Sequence, residues 1–319
     1  MDQNPKDLIL FECVISSSRS IRILAAAVQC LAKLGKEVSL EAEASTQSLR
    51  LRCVNDARTS FVVYEFRGEF FEEFSVADAD ITTAIIKLRS CLTVFRSTKN
   101  IDRLVISLAL MDSCKHVVIF QAICRHSITK TYHFYYEDTE ALDPQFDREL
   151  AKHRIRTRPK LLQEAMGRIH GTDEVEIVAM SGVHLNIASL HHQLDSNRTV
   201  KTSMRIPKDD FEEFAISEPK AKLIFSVREF RALITFCTTP GIDVSDVYLL
   251  FNDSGEPLMF TTASKYMESL MATATGMEED LGQEERAAGH FSFSLVLSTI
   301  TDDSGPDTTR PSQADASQS

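Results

Sequence analysis

AVQCLAKLGKEVSLEAEASTQSLRLRCVNDARTSFVVYEFRGEFFEEF, residues Ala27–Phe74, is the stretch whose reading decides the fold. It opens with the end of an amphipathic helix and continues through three segments, 37–43, 48–54 and 60–67, in which apolar and polar residues alternate. Alternation with a period of two marks half-buried strands, so the stretch reads as one helix followed by a meander. Its closing phrase returns: Phe70–Phe74 is FFEEF, and DFEEF stands at Asp210–Phe214, 140 residues later. The chain of 319 residues is therefore organised as two similar halves.

Upstream, Ser18–Lys36 carries Ile21, Leu24, Val28 and Leu31 on one helical stripe and Arg22, Gln29 and Lys33 on the opposite face, with Gly35 at the stop. Downstream, a second helix is predicted from Ala84 to Thr98, with Ile85, Leu88, Leu92 and Phe95 inward and Arg89, Thr93 and Arg96 outward. Strands follow near 103–110, 116–123 and 128–136. The segment 137–153, acidic and broken by Asp143-Pro144, reads as a connector.

Pro159 suits the first turn of a third helix burying Leu162, Ala165 or Met166, and Ile169. After strands near 174–180, 183–190 and 200–206, a fourth helix over Val227–Thr238 buries Phe230, Ile234 and Cys237 and presents Arg228, Arg231 and Thr235. It stops before Pro240-Gly241, and strands near 243–251 and 257–262 come next. Helices beginning near 20, 85, 159 and 227 make two tandem copies of a two-helix domain.

With 43% hydrophobic and 25% charged residues the chain is globular, and no run of about 18 apolar residues offers a membrane span. The start, MDQNPKD, lacks the pattern of a signal peptide, so an intracellular protein is expected. The seven cysteines are scattered among apolar neighbours without a CxxC pair, which reads as buried thiols rather than disulfides or a zinc site.

Charge carries the functional signal. The chain is acidic, at −11, yet the windows Ser18–Lys36, Ala84–Lys99, Arg154–Arg168 and Ser226–Thr239 hold fifteen of its 35 basic residues and, of its 46 acidic ones, only Glu164 and Glu229. An ordinary solvated helix mixes both signs to gain pairs at i,i+4. A face of one sign repels itself unless it meets a polyanion, which points to a shared surface for DNA phosphates.

An enzyme is the rival class. Asp78 and Asp80, and the pair His191-His192, lack the spacing of a ligand set, and no GxGxxG, Walker, HExxH or GxSxG motif is present. No catalytic residue, metal or cofactor is expected.

These residues resemble a known family. AVQCLAKLGKEVSLE, LRCVNDARTSFVVYEF with its FFEEF, LTVFRSTKNIDRLVISL, VVIFQAICRHSITKTYHFYYED, KLIFSVREFRALITF and PLMFTT are similar to the Rad-nine family, a subunit of the nine-one-one checkpoint clamp related to proliferating cell nuclear antigen. The resemblance covers most of residues 12–275 and implies an α+β DNA clamp fold of two tandem domains, each with two helices backed by antiparallel sheet. Residues 1–11 would be an extension, 12–136 the first domain, 137–153 the connector, 154–300 the second domain, its end between 275 and 300, and 301–319 a disordered tail.

The resemblance further implies a non-catalytic subunit of a heterotrimeric ring that encircles DNA at damage and recruits checkpoint and repair effectors in the nucleus. Its partners would be double-stranded or recessed-end DNA bound without sequence specificity, Rad-one-like and Hus-one-like subunits, and an ATP-dependent loader. The DNA-facing residues would be Arg22, Lys33, Lys87, Arg89, Arg96, Lys160, Arg168, Arg228 and Arg231. Arg154, Arg156 and Arg158 would sit on a strand or turn entering the third helix.

Ring closure would use sheet edges at Thr129, Tyr132 and Tyr135 and at Val200, Thr202 and Met204. Either 266–275 or 291–297 would be the last clamp strand, and Ser312 and Ser317, each followed by Gln, match the preference of damage-response kinases. The alternative is a clamp-like adaptor or paralogue that acts outside the checkpoint ring.

Overall fold

Every helix is entered directly from a strand, and that strand–helix step occurs four times. In the computed structural model, which describes residues 8–77, 81–111, 115–136, 151–190, 201–262 and 290–301, the first half runs β1 (Leu8–Ile15), α1 (Ser18–Leu31), β2 (Glu37–Glu43), β3 (Ser48–Val54), β4 (Ser60–Arg67), β5 (Glu73–Val76), β6 (Ile81–Lys87), α2 (Leu88–Val94), β7 (Ile101–Met111), β8 (Lys115–Cys124) and β9 (Ile128–Tyr135). The second half repeats it with β10 (His153–Thr157), α3 (Pro159–Met166), β11 (Glu174–Met180), β12 (His184–Leu190), β13 (Ser203–Pro207), β14 (Glu213–Ile216), β15 (Lys220–Ser226), α4 (Val227–Cys237), β16 (Val247–Phe251), β17 (Leu258–Thr262) and β18 (Phe291–Leu297).

The repeated phrase does the same work twice. Gly68–Phe70 and Lys208–Asp210 each form a single 3-10 turn, after which Phe71 and Phe211 take extended backbone and are buried. The short strands that follow, β5 and β14, add to β1 and β10, with Cys13 opposite Phe74 and Ile155 opposite Phe214. The phrase therefore marks equivalent edges of the two halves.

Antiparallel pairing gathers the strands into three sheets. One has the order β5-β1-β7-β8-β9, one β13-β12-β11-β15, and the third joins both halves as β14-β10-β16-β17-β18-β4-β3-β2-β6. The join is the register of β18 on β4, from Phe291 opposite Phe66 to Leu297 opposite Ser60. Phe291–Leu297 is thus a clamp strand at the centre of the molecule; the competing segment 266–275 lies outside the described residues.

Rings cross this junction. Tyr64 meets Phe236 edge-on at 4.9 Å, Phe293 lies 5.5 Å from Phe260, and Phe260 lies 4.9 Å from Phe230. Such ring pairs add about 0.5–1.5 kcal/mol each beyond burial. One apolar cluster runs through both halves.

Two expectations need correction. The first strand begins at Leu8, so the extension is shorter than residues 1–11. The second helix begins at Leu88, not Ala84: Thr82, Ala84 and Ile86 alternate inward as β6 pairs with β2, and this pairing puts Ile85 and Lys87 on the outer side of a strand. Arg154 and Arg156 lie within β10 and Arg158 precedes α3, on the strand and turn entering the third helix as expected, and all three face carboxylates, of Glu213, Asp246 and Glu212 respectively.

Candidate nucleic-acid interface

The four helices lie side by side in the order α2-α1-α4-α3. Each rests its apolar side on the sheets. On α1, Ile21, Leu24, Val28 and Leu31 are buried, and Arg22, Gln29 and, just beyond the helix, Lys33 are exposed along a single stripe. Ser17 caps this helix by accepting from the Ser20 amide at 3.3 Å. On α2 the exposed stripe is Arg89, Thr93 and Arg96, with Lys87 exposed at the strand end that leads into it.

Pro159 opens α3 as its first residue, and Lys160, Gln163, Glu164 and Arg168 are exposed. Gln163 Nε2 donates to Thr238 Oγ1 at 2.8 Å, tying α3 to α4. Among the nine predicted phosphate ligands, eight are exposed; Arg231 is half-buried.

The two arginines of α4 have a second task. The Arg228 guanidinium donates to the Lys33 carbonyl at 2.9 Å, beyond the end of α1. That of Arg231 donates to the Met166 carbonyl at 3.2 Å and to the Ile169 carbonyl, at the end of α3. Helix C-termini leave carbonyls without partners and carry partial negative charge, so a cation there is favourable. Arg231 is thus a helix cap that keeps a positive charge near the surface, with its Nη2 engaged by the two carbonyls.

Glu229, an apparent exception to the acid-poor helices, is not on the exposed face. It is buried, accepting from Asn55 Nδ2 at 3.1 Å and Ser226 Oγ at 2.8 Å, and Asn55 belongs to the other half of the chain. Of the two helix carboxylates, only Glu164 faces solvent. Sequence periodicity had no means of separating them, because the partner lies 174 positions away.

The strand edges named from sequence also have definite places. Thr129, Tyr132 and Tyr135 belong to β9, the last strand of its sheet; Tyr132 packs partly against the core, while Thr129 and Tyr135 are exposed. Met204 belongs to β13, the last strand of another sheet, and Thr202 immediately precedes it. Val200, Asp78, Asp80, His191, His192, Ser312 and Ser317 lie outside the described residues.

Among the described residues, the cysteines are free and buried. Desolvation pushes the Cys30 thiol up to about 11 and that of Cys53 to about 12, and raises Cys237 and the Tyr64 phenol well above their ordinary values. Thiols held protonated this way are poor nucleophiles.

Among the described residues, one group of metal-ligand types converges, His153 with Glu218 and Asp253. The Lys152 ammonium pairs with Asp253 at 2.5 Å, and His153 Nδ1 accepts the Ser217 amide at 3.2 Å. A lysine already supplies the positive charge there. No described helix is long and apolar enough to cross a membrane.

The family model that matches this chain, Rad9, covers residues 24–276. The chain is 24% identical over 309 residues to the DNA repair protein rad9 of Schizosaccharomyces pombe, spanning 82% of this chain and 70% of the relative. It is 22% identical over 266 residues to the cell cycle checkpoint control protein Rad9 of Drosophila melanogaster, spanning 83% of this chain and 56% of that protein. Among solved structures, PCNA from Thermococcus kodakaraensis aligns with a TM-score of 0.64 at 12% identity, over 91% of this chain and 99% of that one.

Proposed function

This chain belongs to the Rad9 family, and from that premise we propose that it is one subunit of a heterotrimeric ring that encircles DNA at sites of damage. One observation carries the reading. Two similar halves joined through a continuous sheet set four helices in one row, and the solvent side of that row is basic in a protein of net charge −11.

Arg22, Lys33, Lys87, Arg89, Arg96, Lys160 and Arg168 would neutralise phosphates without reading bases, and Arg228 and Arg231 would contribute charge while holding α1 and α3 in place. Binding of this kind is topological and strongly salt-dependent. The chain would have no catalytic step. An ATP-dependent loader would open and close the ring, and Rad-one-like and Hus-one-like chains would complete it. The repair and checkpoint names of the relatives support a nuclear role in recruiting effectors.

The test is co-expression with Rad-one-like and Hus-one-like chains, followed by sizing and native mass. A particle with one copy of each is expected. On nicked circular DNA it should be retained until the circle is linearised, and Arg89→Glu with Arg96→Glu should cut retention about tenfold or more at 150 mM salt. A lone monomer beside both partners, or retention indifferent to linearisation, would overturn the reading.

A further inference from the structure

Beyond the last turn of α2 the layers part. The helix ends at Val94, and a cavity of about 320 Å³ opens between that end and the facing strands β7, β8 and β9. Its floor is apolar: Val94, Ile101, Ala122 and Cys124 line it and are buried. The register places Lys130 directly opposite Ala122, so the lysine shares the inner face of the sheet with a residue too small to fill the space. Tyr132, two residues further along β9, is on the same face, and Arg96 and Ser97 come from the chain that leaves α2.

The charged groups around this floor are of one sign. Arg96 and Lys130 are cations, and among the described residues no carboxylate lines the cavity and neither cation makes an ion pair or a side-chain hydrogen bond. The hydroxyls of Ser97 and Tyr132 are likewise without a hydrogen-bond partner there. Arginines elsewhere are held: Arg50 by Glu41, Glu43 and Glu65, and Arg103 by Glu72 and Glu73. Asp102, next in sequence to Ile101, is itself paired with Arg125 at 3.3 Å. Two uncompensated cations beside an apolar floor repel each other where screening is poor, and an anion between them relieves both. The carbonyls ending α2 carry about half an elementary charge at most, too little to do so.

We propose that this cavity is a phosphate site and that it takes the terminal phosphomonoester of a nucleic-acid strand. A monoester carries a charge of about −1.5 to −2 at neutral pH and three acceptor oxygens, which suits two cations and two hydroxyl donors. A backbone diester has one charge and fewer free oxygens. The Arg96 guanidinium can hold two oxygens in a fork, with Lys130 as a point charge. A strand end is favoured over a free phosphate because Arg96 also belongs to the exposed stripe of α2, the outermost helix of the basic row. For the source of the phosphate the inference rests on the DNA reading of the helices; the site itself needs no ring.

The test uses the purified chain and a fluorescent single-stranded oligonucleotide bearing either a 5′-phosphate or a 5′-hydroxyl. Anisotropy at about 150 mM salt should show the phosphorylated strand bound at least about fivefold more tightly. Ser97→Ala with Lys130→Ala should abolish that ratio and Lys130→Arg should keep it, whereas Arg22→Glu should weaken both strands and leave the ratio unchanged. These positions are exposed, and circular dichroism checks that the fold is kept.

As competitors, inorganic phosphate and adenosine monophosphate should remove the ratio only above about 1 mM. Competition by either at micromolar levels would keep the phosphate site and make a free phosphate its occupant. Equal binding of the two strands, binding of neither, or a ratio that survives Ser97→Ala with Lys130→Ala would overturn the proposal. Retention on nicked circles, which tests the DNA surface itself, would be untouched by any of these results, so the two readings fail separately.

Discussion

Substituting Asn55→Asp should weaken the junction between the two halves more than any other single-atom change at that site. Asn55 occupies the turn between β3 and β4. Its Oδ1 accepts the amides of Thr59 at 2.8 Å and Ser60 at 3.1 Å, while Nδ2 donates to Thr59 Oγ1 at 2.9 Å and to the buried Glu229 carboxylate at 3.1 Å. Exchanging the amide nitrogen for oxygen keeps the two turn bonds and sets a second carboxylate against the first. At about 3 Å and an effective dielectric of about 20 the repulsion is about 5 kcal/mol, and relaxation should reduce the net loss to about 2–4 kcal/mol.

Glu229→Gln alone removes a charge but leaves an acceptor for Ser226 and an amide to reorient, so about 1 kcal/mol is expected. In the double variant the donor and acceptor have changed sides: the new amide at 229 donates to the new carboxylate at 55. Stability should therefore return to within about 1–1.5 kcal/mol of wild type, a coupling of about 2–3 kcal/mol. Urea unfolding of wild type, both single variants and the double variant measures it. Additivity within about 0.5 kcal/mol would show that these side chains do not meet and would refute the account of Glu229.

Arg231→Met should cost about 1–2 kcal/mol through the uncapped end of α3, with amide exchange speeding near Met166 and Ile169 and the rest of the molecule unaffected; uniform acceleration across the chain would contradict a local cap. Gly35→Ala places a Cβ 2.6 Å from both Cys53 Sγ and the Val54 carbonyl oxygen, so a loss of about 2–3 kcal/mol in urea unfolding is expected, and a neutral result would rule out that close approach. Burial lowers the pKa of His153 below its ordinary 6.5, so the unfolded chain binds the proton more readily. Its contribution is therefore complete above about pH 6.5 and lost as pH falls from there toward the depressed folded value; a Tm profile from pH 7.5 to 5 should be shallower in His153→Gln than in wild type, and parallel profiles would refute the assignment.

The elements legible in sequence are those whose causes are local. Residues 37–43, 48–54 and 60–67 alternate because each strand has one face on the core, and β2, β3 and β4 have those bounds. Pro159 announced α3 because its ring fixes the first helical φ and needs no amide donor. Helix and strand were confused at 84–87 because β6 passes into α2 without a turn residue, and Ile85, Leu88, Leu92 and Phe95 also satisfy a helical stripe. β10 was legible as a strand or turn entering α3, but its contacts were not. Its alternate residues are Arg154 and Arg156, and they are held by acids that come from elsewhere in the chain.

The candidate DNA face divides along the same line. Arg22, Arg89 and Lys160 stand exposed where a stripe of 3.6 residues per turn puts them. The same rule placed Arg228, Arg231 and Glu229 on α4 but could not assign their contacts, since those lie on α1, on α3 and across the domain junction. A charge count over helix windows therefore understated the bias of the solvent face, since Glu229 is withdrawn into the junction. It also overstated the ligands available there, since Arg231 is half-buried and commits Nη2 to two carbonyls. Both corrections act through α4, the helix that touches α1 on one side and α3 on the other. If DNA is held along this row, substitutions on α4 should disturb stability and DNA retention together, whereas substitutions at Arg89 or Arg96 on α2 should disturb retention alone.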